Sequence, residues 1–399
     1  MTALPMEIEA LPRDWSSTPA AGLPRLRIAM MLESDEPGGA EMMVFRLSEE
    51  LRRRGHTIVP VGPERGVGWL GDVFRRAGFN PEVFRIHRPI DPGCVRGLVE
   101  LFRHHRIDLV HSHEFTMAVY GTAASRLQRI PHLITMHGGL TVCKALRRRI
   151  ALRWAMRKSS HAVMVSRATQ KQFSDDLGVK PSSLAVVPNG VPVKSGDPSA
   201  VRAEFGIGER DRVILAVGVL EKHKGHQTLL EALNQLRHGG LGTPWKLIIA
   251  GGAGGTEHES LLAYVRAEGL NDCVHIALNR NDVGDLLALA DIFVMPSLWE
   301  GLPMAVLEAM VAKKAIVASA IAGIPEAIVD GREGLLVAPG DVGELANALR
   351  LVLIDPARRR ALAEAASLRA NQEFTVAVMA DRYEMLYASA LRNRQRASR

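Results

Sequence analysis

The sequence predicts an α/β protein built from two doubly wound halves, each a parallel sheet with helices on both faces. Three observations lead there. Short apolar runs of strand length alternate with helical patterns from Arg25 to Val191 and again from Arg212 to Asp341, the pattern of parallel strands joined by helical crossovers. The chain has 399 residues and is 47% hydrophobic, enough for two separate cores. Between the two series lies Val193–Ser199, short, polar and broken by glycine and proline, a linker by composition.

Composition narrows the partners and the compartment. Cys94, Cys143 and Cys273 are far apart, with neither zinc nor CxxC spacing, so a reducing cytosol is expected. No apolar run approaches the ~20 residues that a membrane span requires. Residues 1–24 lack the basic-then-apolar pattern of an export signal and are expected to be a flexible tail. Residues 1–195 carry 28 Lys and Arg against 18 Asp and Glu, whereas residues 196–399 carry 22 against 25. The basic half is expected to face something anionic, either lipid head groups or a phosphate-bearing acceptor. No nucleic-acid partner is expected, because the cations are scattered and only 4 tyrosines and 10 phenylalanines are available for stacking.

In the first half, Arg25–Leu32 reads as a strand running into Pro37-Gly38-Gly39-Ala40-Glu41, then a helix that ends near Gly55. Glycines at such a turn let a charged or sugar ligand approach the backbone closely; an ordinary tight turn would read the same. Strands are expected at Thr57–Val61, Glu82–Arg85, Asp108–His111, His132–Thr135 and His161–Val165, with helices such as Val95–His105 and Met117–Leu127 between them. His111 and His113 sit two apart at a strand end, and no third ligand is evident, so they read as structural. His137 follows a strand at its carboxyl end beside Gly138 and Gly139, a position suited to ligand contact. From Lys144 to Lys158 basic and apolar residues interleave at helical spacing, with Leu146, Ile150 and Trp154 in one strip and Ala145, Leu152 and Met156 in another. That pattern suits peripheral contact with an anionic membrane, and equally a solvated basic face packed on the sheet.

In the second half, the strand Arg212–Gly218 leads into Val219-Leu-Glu-Lys222-His223-Lys224-Gly225-His226 and the helix Gln227–Arg237. Lysines beside glycine at a helix N-terminus form an anion site, since exposed N–H groups and the dipole add to the ammonium charge; a solvated loop is the plainer alternative. Trp245–Gly255 ends in glycines, but the position three beyond Gly254 is Glu257, so the dinucleotide spacing fails and a nicotinamide dehydrogenase is not expected. Asn279-Arg280 follow the next strand, Val274–Ala277. The most informative stretch is Ala290–Gly323. Its strand Asp291–Met295 stops at Pro296, Glu300 lies on the loop, Pro303 opens a helix, and Ala315–Ala318 is a second buried strand. Within that helix Glu308 is surrounded by Val306, Leu307, Ala309, Met310 and Val311. A carboxylate there needs a hydrogen-bond partner unless it reaches solvent at a helix edge. Glu300 stands where ligands of open α/β sheets bind, or is merely a first-turn acid favoured by the dipole. Helices at Val342–Ile354, Pro356–Asn371 and Val376–Leu391 complete the chain.

The spacing Glu300-x7-Glu308, with Pro296-Ser297 before it and Gly323-Ile324-Pro325-Glu326 after it, resembles the signature of retaining glycosyltransferases of family 4. The resemblance runs from Arg25 to about Leu391. It implies the GT-B fold, two Rossmann-like doubly wound domains facing across a cleft. Residues 25–195 would form the acceptor domain, residues 200–373 the nucleotide-sugar domain, and residues 374–399 a helix crossing back to the first. The implied reaction moves a sugar from a UDP- or GDP-sugar to an acceptor hydroxyl with retention, without metal or cofactor, the nucleotide sugar being a substrate. No Asp-x-Asp triplet occurs in the chain, which leaves the charge of the departing diphosphate to Lys224 and helix N-termini. By the same resemblance Glu300, His137 and Lys224 are catalytic and Glu308 holds the ribose. Gly301, Leu302, Lys222, Gly252, Asn279 and Arg280 complete the donor site, and Gly38 and Gly39 line the acceptor side. The family usually has an arginine where this chain has Val219. The expected setting is cytoplasmic, at the inner face of the membrane, acting on a glycan or lipid-linked acceptor in cell-surface glycan, exopolysaccharide or glycolipid synthesis. Two other readings stay open: a nucleotide-sugar epimerase on the same fold, and a non-catalytic member that binds a sugar nucleotide or glycan.

Overall fold

The computed structural model describes residues 23–33, 38–63, 68–88, 90–138, 145–193, 196–252, 256–300 and 303–397. The expected tail, apart from its last two residues, and the donor-site candidates Gly301 and Leu302 lie outside these residues. The chain divides into two units, Met1–Gly190 with Val376–Arg399, and Val191–Thr375. The division precedes the polar stretch Val193–Ser199. Its physical cause is a pairing within the second unit, where Val191 N donates to Phe374 O at 2.8 Å and Val191 bridges Thr375 in parallel.

In chain order the first unit contains β1 (Arg27–Met31), α1 (Gly39–Arg53), β2 (Thr57–Pro63), α2 (Gly68–Arg76), β3 (Glu82–Phe84), α3 (Pro92–His104), β4 (Leu109–His113) and α4 (Glu114–Gln128). β5 (His132–Met136), α5 (Leu146–Lys158), β6 (His161–Met164), α6 (Arg167–Leu177) and β7 (Leu184–Val186) follow. The second unit contains α7 (Ser199–Glu204), β8 (Arg212–Val217), α8 (His226–His238), β9 (Trp245–Gly251), α9 (His258–Ala267), β10 (Val274–Leu278), α10 (Val283–Leu289) and β11 (Ile292–Met295). It continues with α11 (Met304–Val311), β12 (Ala315–Ser319), α12 (Ile324–Ala327), β13 (Leu335–Val337), α13 (Val342–Ile354) and α14 (Pro356–Glu373). The last helix, α15 (Val376–Ala397), belongs to the first unit.

Local chemistry explains many of these boundaries. Asp91 caps α3 through the N–H groups of Gly93 and Cys94, and Pro92 opens that helix. Ser166 caps α6, Asp341 caps α13, and Asp355 with Pro356 starts α14, each oxygen accepting from a first-turn N–H that has no partner inside its helix. Pro303 is the residue before α11, extended at φ −72° and ψ 123°, and not its first helical position.

Every strand pairing within the two sheets is parallel. The orders are β3-β2-β1-β4-β5-β6-β7 and β10-β9-β8-β11-β12-β13. In each sheet the winding reverses beside its first strand, between β1 and β4 and between β8 and β11. Loops that leave the carboxyl ends of such a pair diverge and open a crevice over the sheet. The central strands are buried on both faces, as helices on both sides require. β4 reaches His113 and α4 begins at the next residue, so both His111 and His113 lie inside a buried strand.

Candidate functional site

In the second unit, the two loops at the β8/β11 switch are tied together by charge. Lys224 Nζ donates to Glu300 Oε1 at 2.5 Å, and Ser297 Oγ donates to the same oxygen at 2.9 Å. The side chains of Lys224 and Glu300 are 16% and 10% exposed, so the pair is shielded without being sealed. Leu298 N donates to His223 O at 2.7 Å and fastens the backbones. This approach requires Gly225, whose φ is +67° and whose Cβ, if present, would lie 2.1 Å from Pro296 O. Gly225 is also the residue before α8. The Lys224 ammonium therefore stands at the positive end of a helix, where an anion is favoured twice over. His226, first in α8, is buried, and burial holds its imidazole down to about 4, hence neutral at pH 7. Glu308 is half-buried on α11 between buried Leu307 and Ala309.

In the first unit, the β1/β4 switch gathers acids and histidines. Glu33, just past β1, accepts from Thr116 N at 2.8 Å and Thr116 Oγ1 at 2.5 Å, tying that loop to the start of α4. Glu114 is held at φ +65°, and its Oε1 accepts from His137 N at 3.0 Å. Burial raises the Glu114 carboxyl to about 8, with the charges of Glu33 and Glu41 acting in the same direction. His113 Nδ1 lies 3.1 Å from His137 Nε2, and His113 Nε2 lies 3.1 Å from Met30 Sδ. Burial pushes His113 well below the ordinary imidazole range and His137 down to about 4, so both are neutral. A thioether only accepts, so the His113 proton is on Nε2 and its Nδ1 accepts from His137 Nε2–H. His137 consequently carries a bare lone pair on Nδ1, an atom shielded from solvent and without a protein partner. An apolar groove lined by Met30, Leu32, Val44, Val61, Leu70 and Phe74 adjoins the same strand ends. Among the described residues no group of three or more His, Cys, Asp or Glu is arranged to hold a metal ion.

Both halves match known family models. Residues 37–195 match Glycosyltransferase Family 4, and residues 198–369 match Glycosyl transferases group 1. A glycogen synthase of Mycobacterium tuberculosis is 30% identical over 297 residues, 72% of this chain and 70% of that protein. The chain is a family 4 glycosyltransferase. An Escherichia coli UDP-Gal:alpha-D-GlcNAc-diphosphoundecaprenol alpha-1,3-galactosyltransferase is 26% identical over 292 residues, 70% of this chain and 75% of that protein. Among solved structures, a Rickettsia africae glycosyltransferase has a TM-score of 0.81 at 19% identity, covering 92% of this chain and 99% of that one. Anabaena Alr3699/HepE in complex with UDP has a TM-score of 0.79 at 24% identity, covering 91% and 100%. These structural neighbours share the GT-B fold, two Rossmann-like halves.

Seen as parts of a family 4 glycosyltransferase, the residues singled out from sequence fall into distinct places. Lys224 and Glu300 are in direct contact. Lys222 is exposed beside them. Gly252 follows β9, and a Cβ on it would lie 3.8 Å from Val219 Cγ1, so the valine standing in for the family arginine neighbours that loop. Asn279 sits at φ +54° with its N–H donating to Gly251 O at 2.8 Å. Arg280 departs from the expectation. Its guanidinium is held by both oxygens of Glu204, at 2.6 and 2.9 Å, and by Asp282, and it lies 5.5 Å from the Phe205 ring centroid. Such bidentate pairing commits it to joining α7 to the loop before α10. Gly38 precedes α1 and Gly39 begins it, without a side-chain cap. Sequence reasoning missed Met30, Glu33 and Glu114, and used Ser297 only as part of the signature, without its bond to Glu300. Glu114 had one signal, a carboxylate directly after the strand that carries His113.

Proposed function

We propose that this glycosyltransferase binds a UDP- or GDP-sugar through its second unit and passes the sugar to an acceptor hydroxyl with retention of anomeric configuration, without a metal ion or cofactor. The observation that carries the reading is the Lys224–Glu300 pair at the N-terminus of α8, on the switch-point loops of the second sheet. Lys224 and the helix end offer fixed positive charge to a diphosphate, which gains negative charge as its bond to the sugar breaks. Glu300 holds Lys224 in place and offers its second oxygen to a sugar hydroxyl. Glu308 holds the ribose hydroxyls. Lys222 and Gly252 border the phosphates, and Asn279 shapes the neighbouring turn; Arg280 stays outside the set. His137 accepts a hydrogen bond from a sugar hydroxyl at its bare Nδ1. In the step itself the bond from the anomeric carbon to the diphosphate oxygen breaks, and a bond to the acceptor oxygen forms on the same face. The acceptor proton leaves with the diphosphate.

The acceptor belongs to the first unit, with Gly38 and Gly39 at the start of α1 and the apolar groove that Val44 of the same helix helps line, and a glycan or lipid-linked sugar fits backbone N–H groups combined with apolar walls. The printed activity of the Escherichia coli relative, which acts on a diphosphoundecaprenol-linked sugar, supports a lipid-linked acceptor, and a role in glycan assembly on the cytoplasmic side of the membrane belongs to the same reading. Thermal melts with UDP-, GDP- and ADP-sugars are expected to give a shift with one base only, about 2.7 kcal/mol of stabilisation at 100 times the dissociation constant. Nucleoside diphosphate is then expected to appear only when acceptor is added, with an axial-to-axial or equatorial-to-equatorial product by NMR. Release without acceptor would assign an epimerase, and binding without any turnover would assign a silent member. Glu308→Gln is expected to weaken donor binding about 10- to 100-fold by calorimetry; unchanged affinity removes Glu308 from the ribose.

A further inference from the structure

We propose that α5 is a docking face for an anionic phospholipid bilayer. The helix has two sides of different character. Leu152, Ala155 and Met156 are buried in a cluster with Ile134, Met136, Phe173 and Leu177, which fixes α5 to the sheet. On the other side Leu146, Ile150 and Trp154 are 67%, 62% and 39% exposed. Spaced four apart, they form a single stripe about 12 Å long at the rise of an α-helix. The adjacent row on the helix surface is Arg149, Arg153 and Arg157, all exposed; Lys158 continues the stripe at its end and Arg147 flanks its start.

The helix carries six cations and no acid. None of the six is paired with a carboxylate among the described residues, and Arg148 instead lies 5.6 Å from the Phe115 ring centroid. By contrast Arg53, Arg75 and Arg96, on other surface helices, each pair with an acid of their own helix, Glu50, Asp72 and Glu100. A row of unpaired cations beside exposed Leu, Ile and Trp needs an occupant that supplies negative charge and apolar volume on one plane. A bilayer with anionic head groups does both, the tryptophan and aliphatic side chains entering the interface while the arginines meet phosphates. A second copy of this face would bring like charge against like, and a nucleic acid would leave Leu146 and Ile150 in water.

The test is flotation of the full-length protein with vesicles of phosphatidylcholine alone and with about one third phosphatidylglycerol, at low and high salt. The protein is expected to float with the anionic vesicles only, and less at high salt. Ile150→Ser with Trp154→Ser is expected to lower binding at least tenfold. Arg149→Gln with Arg153→Gln and Arg157→Gln is expected to lower it about fivefold per cation and to flatten the salt dependence. All these positions are exposed, so both variants keep the parent melting temperature and keep turnover on a soluble acceptor. Absence of flotation overturns the proposal, as does equal binding to neutral vesicles or indifference to both variants. Binding of RNA or an acidic peptide through these residues, with vesicles ignored, overturns it too. The result is independent of the donor assignment, which turnover on the soluble acceptor reads separately.

Discussion

In the proposed reaction Lys224 would contribute through its position as much as its charge. Its ammonium is already bonded to Glu300 and sits one residue before the N-cap of α8, so no reorganisation is needed when a diphosphate arrives. Lys224→Met is expected to lower kcat about 10²- to 10³-fold with a smaller effect on donor affinity, measured by steady-state kinetics and calorimetry. Equal losses in both would mean that Lys224 only binds. Met30 acts at one remove. Its sulfur accepts the His113 Nε2 proton, and that choice passes to His137. Met30→Leu keeps the volume and removes the acceptor, so the two imidazoles are expected to populate mixed tautomers, visible in ¹⁵N chemical shifts, with kcat reduced several-fold. An unchanged tautomer would show that another group fixes the pair. The signature acids and lysines were legible in the sequence because each sits within a few residues of its loop. Met30 and Glu114 were not, because their partners come from strands distant in sequence.

Among the elements, α15 shows best how far a linear reading extends. Its helical pattern and its return to the first unit are both consistent with the residues, yet the contacts that hold it are long-range and polar. Arg54 Nη1 donates to Asp381 at 2.6 Å and to Glu384 at 2.7 Å, and His56 Nε2 lies 3.0 Å from Glu384 Oε1. His56 Nδ1 accepts from Leu26 N at 3.1 Å, so its proton faces Glu384. Deeper in, Tyr387 OH bonds His111 Nδ1 at 2.8 Å and Tyr383 OH bonds Thr135 Oγ1 at 3.0 Å, both tyrosines fully buried. His111 thus reads correctly as structural, although nothing near it in sequence names its partner. Tyr387→Phe leaves His111 Nδ1 buried without a partner and is expected to cost the first unit about 1–3 kcal/mol in urea titrations. A cost near zero would mean that water replaces the phenol. The same limit applies to Arg280, which the family resemblance places near the nucleotide; its carboxylate partner Glu204 lies 76 residues away and nothing near Arg280 in sequence names it.

At the scale of the whole chain, the two units are expected to respond differently to pH, and the sign follows from which form burial favours. In the first unit burial depresses His111 and His113 well below the usual range, His132 to about 3 and His137 to about 4. Unfolded histidines protonate near 6.5, so the stability these groups confer is complete above that pH and is lost as pH falls toward their folded values. Glu114 acts in the opposite direction. Its folded value, raised to about 8 by burial, lies above the ordinary 4.5, so its contribution is complete below 4.5 and is lost as pH rises to 8. Between 4.5 and 6.5 the depressed histidines outnumber the one raised carboxyl and stability climbs; from 6.5 to 8 the Glu114 contribution is lost and stability falls, by about 2 kcal/mol at most. The first unit should therefore be most stable near pH 6.5. In the second unit burial depresses His226 to about 4 and lowers His275, so the stability they confer should climb as pH rises toward 6.5. Urea unfolding read by hydrogen exchange of peptides from each unit measures both curves. Glu114→Gln retains an oxygen for His137 N–H and should flatten the alkaline limb of the first unit while leaving its acid limb in place. A wild-type first unit that is flat from pH 6.5 to 8 would show that the Glu114 carboxylate is solvated in the folded protein, and would remove the neutral acid from beside His137.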